Sequence, residues 1–222
     1  ALREALAAFV DRHAILRTTY EVCVEGGFMQ HVRAEVGSSS LLREMTAPSA
    51  EAAESLCASD ASVGFELFGD AGGVMRAMLV RVATSDDEAA SYLLQIVMHH
   101  VAFDGVSTSL LLSELSALYR ALDAGGSTSD AGLAAPPIQY VDFALWQRSD
   151  ALVLSLAVHC EYWRTQLREG VLPVLELPLD HARPALQTFA GGAVRVRLPA
   201  EVVSRLKAVG RRHGATLFQL AL

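Results

Sequence analysis

A chain of 222 residues with 52% hydrophobic and 19% charged content is ample for one large core or two small ones and predicts a soluble globular unit. Its net charge of −7 argues against a general nucleic-acid binder, because backbone binding rests on clustered Lys and Arg and only Arg211-Arg212 offers a cluster. No apolar run reaches the roughly 18 residues of a membrane span, and the three widely spaced cysteines, Cys23, Cys57 and Cys160, form no Cys-x-x-Cys, which argues against a disulfide framework or zinc site and fits a reducing cytoplasm.

In chain order, Leu2, Leu6, Phe9 and Val10 share one helical face, so residues 1–13 predict a helix, here entered partway. Glu4 interrupts the apolar stretch that a signal peptide would need. From Leu16 the pattern turns strand-like through Val22, and Gly26-Gly27 marks a hairpin to a second strand over Phe28 to Arg33. Residues 48–60 are Ala-rich and predict a helix. Met75 to Val82 and Ser91 to Met98 predict two more strands around a polar turn at Ser85-Asp86-Asp87-Glu88. From Ser107 the apolar positions Leu111, Leu112, Leu115, Leu118, Tyr119 and Leu122 predict a helix with a buried face. The Gly-, Ser- and Ala-rich stretch from Asp123 to Pro137 predicts a loop. Gln139 to Arg148 and Ala151 to Arg168 predict helices, Leu177 to Pro184 an extended segment, and Ala193 to Leu198 a strand. Glu201 to His213 is expected to be helical after Pro199, and Thr216 to Leu222 starts a helix that stops without a cap. The pattern predicts an α/β fold with a mixed β-sheet flanked by helices, and the uncapped helices at both ends suggest an excised piece.

The chemistry concentrates in His99-His100-Val101-Ala102-Phe103-Asp104-Gly105. Neighbouring strand side chains point to opposite faces, so the two histidines cannot both grip one metal ion if the strand persists that far. A lone histidine at a strand end is more often structural than catalytic. Here, however, Asp104-Gly105 makes a turn directly before a helix, and junctions of strand end and helix start often form binding sites in α/β folds. Ser107 is expected to start that helix. The sequence holds no His-Glu-x-x-His, no phosphate-binding Gly-rich loop ending in Lys-Ser or Lys-Thr, and no Gly-x-Ser-x-Gly elbow.

That seven-residue run resembles the His-His-x-x-x-Asp-Gly signature of the condensation domains of nonribosomal peptide synthetases, relatives of chloramphenicol acetyltransferase. Three further segments resemble the same family in the same order: Arg12 to Thr18, Tyr140 to Gln147, and Leu177 to Pro184. Tyr162-Trp163 and Gln166-Leu167 add to the likeness. Ala14 stands where Glu is usual, Val74 where a Pro often precedes the strand, and Val106 where Trp is common. Val106 also occurs in epimerization domains, but their following Trp-Arg pair is missing; heterocyclizing relatives carry aspartates in place of both histidines.

The resemblance implies a chloramphenicol acetyltransferase-like lobe, the N-terminal half of a V-shaped two-lobed domain truncated at both ends, with the second lobe beginning near residue 215. It implies an acyltransferase that joins a carrier-bound acyl or peptidyl thioester to the amine of a carrier-bound aminoacyl group, within secondary-metabolite assembly. Both substrates would ride on phosphopantetheine arms of carrier domains, with no directly bound cofactor or metal. The implied partners are donor and acceptor carrier domains, an adjacent adenylation domain and the C-terminal lobe, with neither nucleic acid nor membrane among them. His100 matches the histidine that reaches the reaction centre, as a base or a positioning group. His99 is expected to pack against the other face, and Gly105 to permit close backbone approach. Asp104 is expected to pair with Arg17, with Arg12 as the alternative. Tyr140, Phe143, Trp146 and Trp163 are expected to be core residues. Without its second lobe the piece is expected to be inactive. The alternatives are a non-catalytic module that docks carrier or tailoring proteins and an acyltransferase using a soluble acceptor.

Overall fold

A computed structural model of the chain describes residues 1–24, 26–35, 41–69, 73–83, 90–167, 175–188, 191–192 and 194–222. It divides into two compact units, Ala1–Arg168 and Glu169–Leu222.

The first unit opens with helix α1, Leu2–Arg12, whose Ala5, Leu6, Phe9 and Val10 are buried at the i, i+1, i+4, i+5 spacing of one face. A 3₁₀ turn over Ala14–Arg17 follows, so strand β1 begins at Thr18 rather than Leu16 and runs to Val22. Thr18 makes that boundary by donating its hydroxyl to the Ala14 carbonyl at 2.9 Å. β1 pairs antiparallel with β2, Phe28–Val32, through the predicted Gly26-Gly27 hairpin, where φ is +83° and +103°.

The main sheet has the order β3-β4-β5, with β3 Leu42–Ala47, β4 Met75–Val82 and β5 Ser91–Met98. β3 and β4 are parallel, joined through helix α2, Ala50–Ala61, and β4 and β5 are antiparallel, so the sheet is mixed. α2 starts at Ser49, whose hydroxyl accepts from the Ala52 amide at 3.2 Å. The polar turn expected at Ser85 to Glu88 lies outside the described residues. Strand alternation sorts β4 between two cores. Met75 and Ala77 join α1 and helix α3, Ser107–Asp123, through Leu6, Val10, Leu111, Leu115 and Leu118. Met78 and Val80 turn to the opposite face, against Ala53 and Leu56 of α2. Leu6 has no exposed surface, and burying a leucine fully is worth about 1.5–3 kcal/mol.

The predicted loop from Asp123 to Pro137 contains a 3₁₀ turn, Thr128–Ala131, that Ser127 and Asp130 cap reciprocally. Helices α4, Tyr140–Gln147, and α5, Asp150–Gln166, complete the unit; Arg168, the expected end of α5, lies outside the described residues. Tyr140, Phe143, Trp146 and Trp163 were expected in the core, yet are 43%, 37%, 54% and 58% exposed, because no described element of this unit covers their faces.

The second unit holds an irregular extended segment over 177–184, helix α6, Ala200–His213, and helix α7, Leu217–Ala221. Gly214 ends α6 with φ +65°, the left-handed conformation that suits glycine. The strand expected over Ala193 to Leu198 is not formed at residues 194–198, which have no ladder partner among the described residues; Ala193 lies outside them. No described helix is long and apolar enough to cross a membrane.

Candidate active site

The site is built where β5 runs out. Met98 pairs with Met75, and the ladder continues one step further, because the His99 amide donates to the Val74 carbonyl at 2.8 Å. Alternation therefore carries past the end of the strand. Gln95 and His99 turn toward the α2 face, where the Gln95 amide donates to the Cys57 carbonyl at 2.7 Å and the His99 ring meets Phe65 edge-on, with centroids 6.0 Å apart at 89°. Met98 and His100 turn the other way, into a cleft of about 320 Å³. The expectation that strand geometry separates the two histidines is met.

A tight turn follows. The Ala102 amide donates to the His99 carbonyl at 3.0 Å, and the Val101 amide donates to His99 Nδ1 at 3.0 Å. An accepting Nδ1 carries no proton, so His99 is locked in one orientation by a bond that His100 does not share. His100 is exposed, and apolar side chains of α1, the first 3₁₀ turn, β5 and the following turn, including Phe9, Ile15, Leu16, Met98 and Phe103, surround it across the cleft.

Asp104 does not pair with Arg17 or Arg12. Its Oδ1 accepts from the Ser107 amide at 2.9 Å and the Ser107 hydroxyl at 2.7 Å, so it caps the start of α3. Those two bonds hold its carboxyl below the usual carboxylate range, with smaller contributions from the Val106 amide and the charge of His100. Arg17 donates instead to the carbonyls of Arg33, Ala34 and Asp11, and its buried Nε has no partner among the described residues. The expected ion pair gives way because each group is satisfied closer to home. Replacing Asp104 with Asn, an equally good cap, is therefore expected to keep most of the turnover, and Asp104→Ala to lose far more; an essential charge at Asp104 would make both variants equally poor in the same assay. Gly105 has neither a positive φ nor any atom within 4 Å of where a Cβ would sit, so the expected close approach is not made by this chain's own backbone.

Arg12 belongs to a different structure. Its Nε donates to Glu114 Oε2 of α3 at 2.9 Å, and its Nη2 donates to the Ala134 carbonyl. His13 Nε2 reaches the same Glu114 oxygen at 2.7 Å, while the His13 ring packs on Phe9 with centroids 4.8 Å apart and lines the cleft. Gln139 closes the group by accepting from the Ala14 amide at 2.9 Å and donating to the Arg12 carbonyl at 3.0 Å. Burial pushes the Glu114 carboxyl up, but the hydrogen bonds and charges of His13 and Arg12 outweigh it and leave the group below its ordinary value. His13, Glu114 and Tyr140, which also lines the cleft, were not assigned to the site from sequence. Glu114 had a visible signal: it falls on the same helical face as Leu111, Leu115 and Leu118, where an unpartnered charge does not belong.

The family model for the condensation domain matches residues 1–222. The chain belongs to the condensation-domain family. It is 39% identical to phosphinothricin tripeptide synthetase PhsC of Streptomyces viridochromogenes over 227 residues, covering 100% of this chain and 20% of that protein. It is 35% identical to malpinin synthetase of Mortierella alpina over 226 residues, covering 100% of this chain and 3% of that protein. This condensation-domain chain thus spans a fifth or less of the length of these curated relatives. Among solved structures it is similar to the complex of the X-domain and OxyB from teicoplanin biosynthesis, with TM-score 0.75 and 27% identity over 97% of this chain and 45% of that one. The condensation domain of the monacolin K polyketide synthase MokA shares the fold, with TM-score 0.71 and 23% identity over 98% of this chain and 48% of that one.

Proposed function

We propose that this condensation-domain chain supplies one wall of a site that forms an amide from a carrier-bound acyl or peptidyl thioester and the amine of a carrier-bound aminoacyl group. The observation that carries the reading is His100, exposed on an apolar cleft at a turn whose conformation is fixed by other residues. The phosphopantetheine arms of the donor and acceptor carriers would bring the reactants there, and we assign the chain up to about residue 215 to the N-terminal lobe, with the opposite wall contributed by the C-terminal lobe that begins there. An adenylation domain that loads the acceptor carrier completes the reading.

In the reaction, the amine nitrogen attacks the thioester carbonyl carbon and forms the C–N bond. The nitrogen of the tetrahedral adduct then carries a surplus proton, which His100 takes; the C–S bond breaks, and His100 returns that proton to the departing sulfur, which leaves as a thiol. An α-amino group titrates near 7.7–8.0, so a useful fraction is already neutral near pH 7 and the demand on a base is modest. Orienting the amine is the larger part of the work, since effective molarities reach about 10⁵–10⁸ M for well-placed reactants. The apolar walls serve this by excluding water that would otherwise hydrolyse the thioester. The open space at Gly105 leaves room for an arm beside the turn.

The likeness to the X-domain, whose structure is of a complex with OxyB, favours a second reading in which the same fold docks a tailoring protein without transferring acyl groups. The full-length protein, given a donor-loaded and an acceptor-loaded carrier, separates them. Appearance of the elongated acyl group on the acceptor carrier, read by intact mass, supports condensation. Carrier binding without product, under conditions where an active relative turns over, supports docking, and equal turnover with free amine and a carrier-free thioester points to a soluble-substrate acyltransferase.

A further inference from the structure

On the α2 face of the main sheet, opposite the cleft, a run of side chains ends on His99. Asp60, near the end of α2 and 9% exposed at its side chain, accepts from Arg76 Nε of β4 at 3.1 Å and from Arg43 Nη2 of β3 at 2.5 Å. Arg76 Nη2 also donates to the carbonyls of Asp60 and Val63, at 2.6 Å and 2.7 Å. So fastened, the Arg76 guanidinium sits 4.4 Å above the centroid of the Phe65 ring, and the Phe65 and His99 rings meet edge-to-face. The His99 ring in turn accepts the Val101 amide through Nδ1.

We propose that Phe65 and Arg76 are positioning residues that fix the direction of His100 into the cleft, acting through the ring of His99; this rests on His100 standing at the reaction centre. Neither touches the cleft. Arg76 cannot swing without giving up three acceptors, Phe65 is held beneath it, and Phe65 limits rotation of the His99 ring. Rotation of that ring breaks the Nδ1 bond and frees the 99–101 peptides, which set where the His100 side chain starts. A 1 Å error at a reacting group costs about 10²-fold in rate.

The test uses the full-length protein. Phe65→Leu keeps an apolar side chain but removes the face under Arg76 and the edge against His99. It is expected to lower kcat by roughly 10- to 100-fold with KM for loaded carriers unchanged, and to speed hydrogen exchange of the backbone amides over 99–104. Arg76→Met, which keeps the stem and removes the cation, is expected to shift both readouts in the same direction by less. Phe65→Tyr keeps both contacts and is expected to restore both, which separates positioning from failure to fold. Wild-type kcat in Phe65→Leu, or a loss of kcat with unchanged exchange over 99–104, overturns the proposal. Faster exchange over 99–104 in Phe65→Leu alongside full turnover by His100→Ala supports the hold on His99 while removing the role of His100 on which it rests.

Discussion

Replacing His100 with alanine in the full-length protein is expected to lower amide formation by about 10²- to 10⁴-fold, the usual contribution of a general acid–base group, while carrier binding and the fold are preserved. The structure separates these effects. His100 is exposed, and the hydrogen bonds of the turn belong to the backbone of 99–102 and to His99 Nδ1, so removing the His100 imidazole deletes no bond that shapes the site. The loss should fall on kcat, because the amine meets His100 only as the adduct forms. His99→Ala provides the contrast: it removes the acceptor of the Val101 amide and the partner of Phe65, so its damage should reach the exchange rates of the turn as well as the chemistry. Single-turnover measurement with preloaded carriers checks both, and unimpaired turnover by His100→Ala would remove His100 from the mechanism.

Glu114→Ala is expected to destabilise the fold by about 3–5 kcal/mol, the cost of stranding the partners of a buried charge. Glu114 is 7% exposed, and its one oxygen Oε2 takes both Arg12 Nε and His13 Nε2, joining α3 to the end of α1 across 101–102 residues of sequence. Alanine leaves a guanidinium and an imidazole facing each other at the edge of the core. Glu114→Gln keeps the volume and one accepting oxygen, so its cost should be smaller. Chemical denaturation of the purified variants reads the difference directly. The same carboxyl predicts an acid limb. Because the folded protein holds Glu114 and Asp104 below their ordinary values, their contribution is fully present above the usual carboxylate range near pH 4 and disappears as pH falls through the depressed values. Stability measured against pH should show that limb flatten in Glu114→Gln.

Much of the scaffold was legible because it is written in apolar periodicity. β4 and β5 appear at the bounds their patterns predict; β4 buries Met75, Ala77, Met78 and Val80, whereas β5 is only half-buried at best. β3 was not foreseen: Leu42–Ala47 is buried only at its two ends and carries Arg43, Glu44 and Thr46 between them, so nothing in its own sequence alternates. It is a strand because β4 offers it a ladder. The site was legible in part. The motif located the turn, strand parity put its two histidines on opposite faces and the family resemblance chose between them, but the partner of Asp104 was expected among distant arginines when Ser107, three residues on, satisfies it. Local capping of this kind competes well with a long-range pair because it orders less chain. Tyr140, Phe143 and Trp146 share the i, i+3 spacing of a core stripe on one helix, and spacing alone does not say whether an element covers it.

The hydrogen bond from His99 to Val74 has an evolutionary corollary. Which of two identical side chains faces the cleft is decided by a count along β5 and not by their chemistry, so a one-residue deletion anywhere between Ser91 and Met98 that kept the ladder's far end in place would exchange their faces. Two deletions would restore them. An odd change of length within β5 therefore exchanges the two faces, and an even one does not. A doubled histidine softens that exchange: after a one-residue slip an imidazole would still face the cleft, at the level Met98 holds.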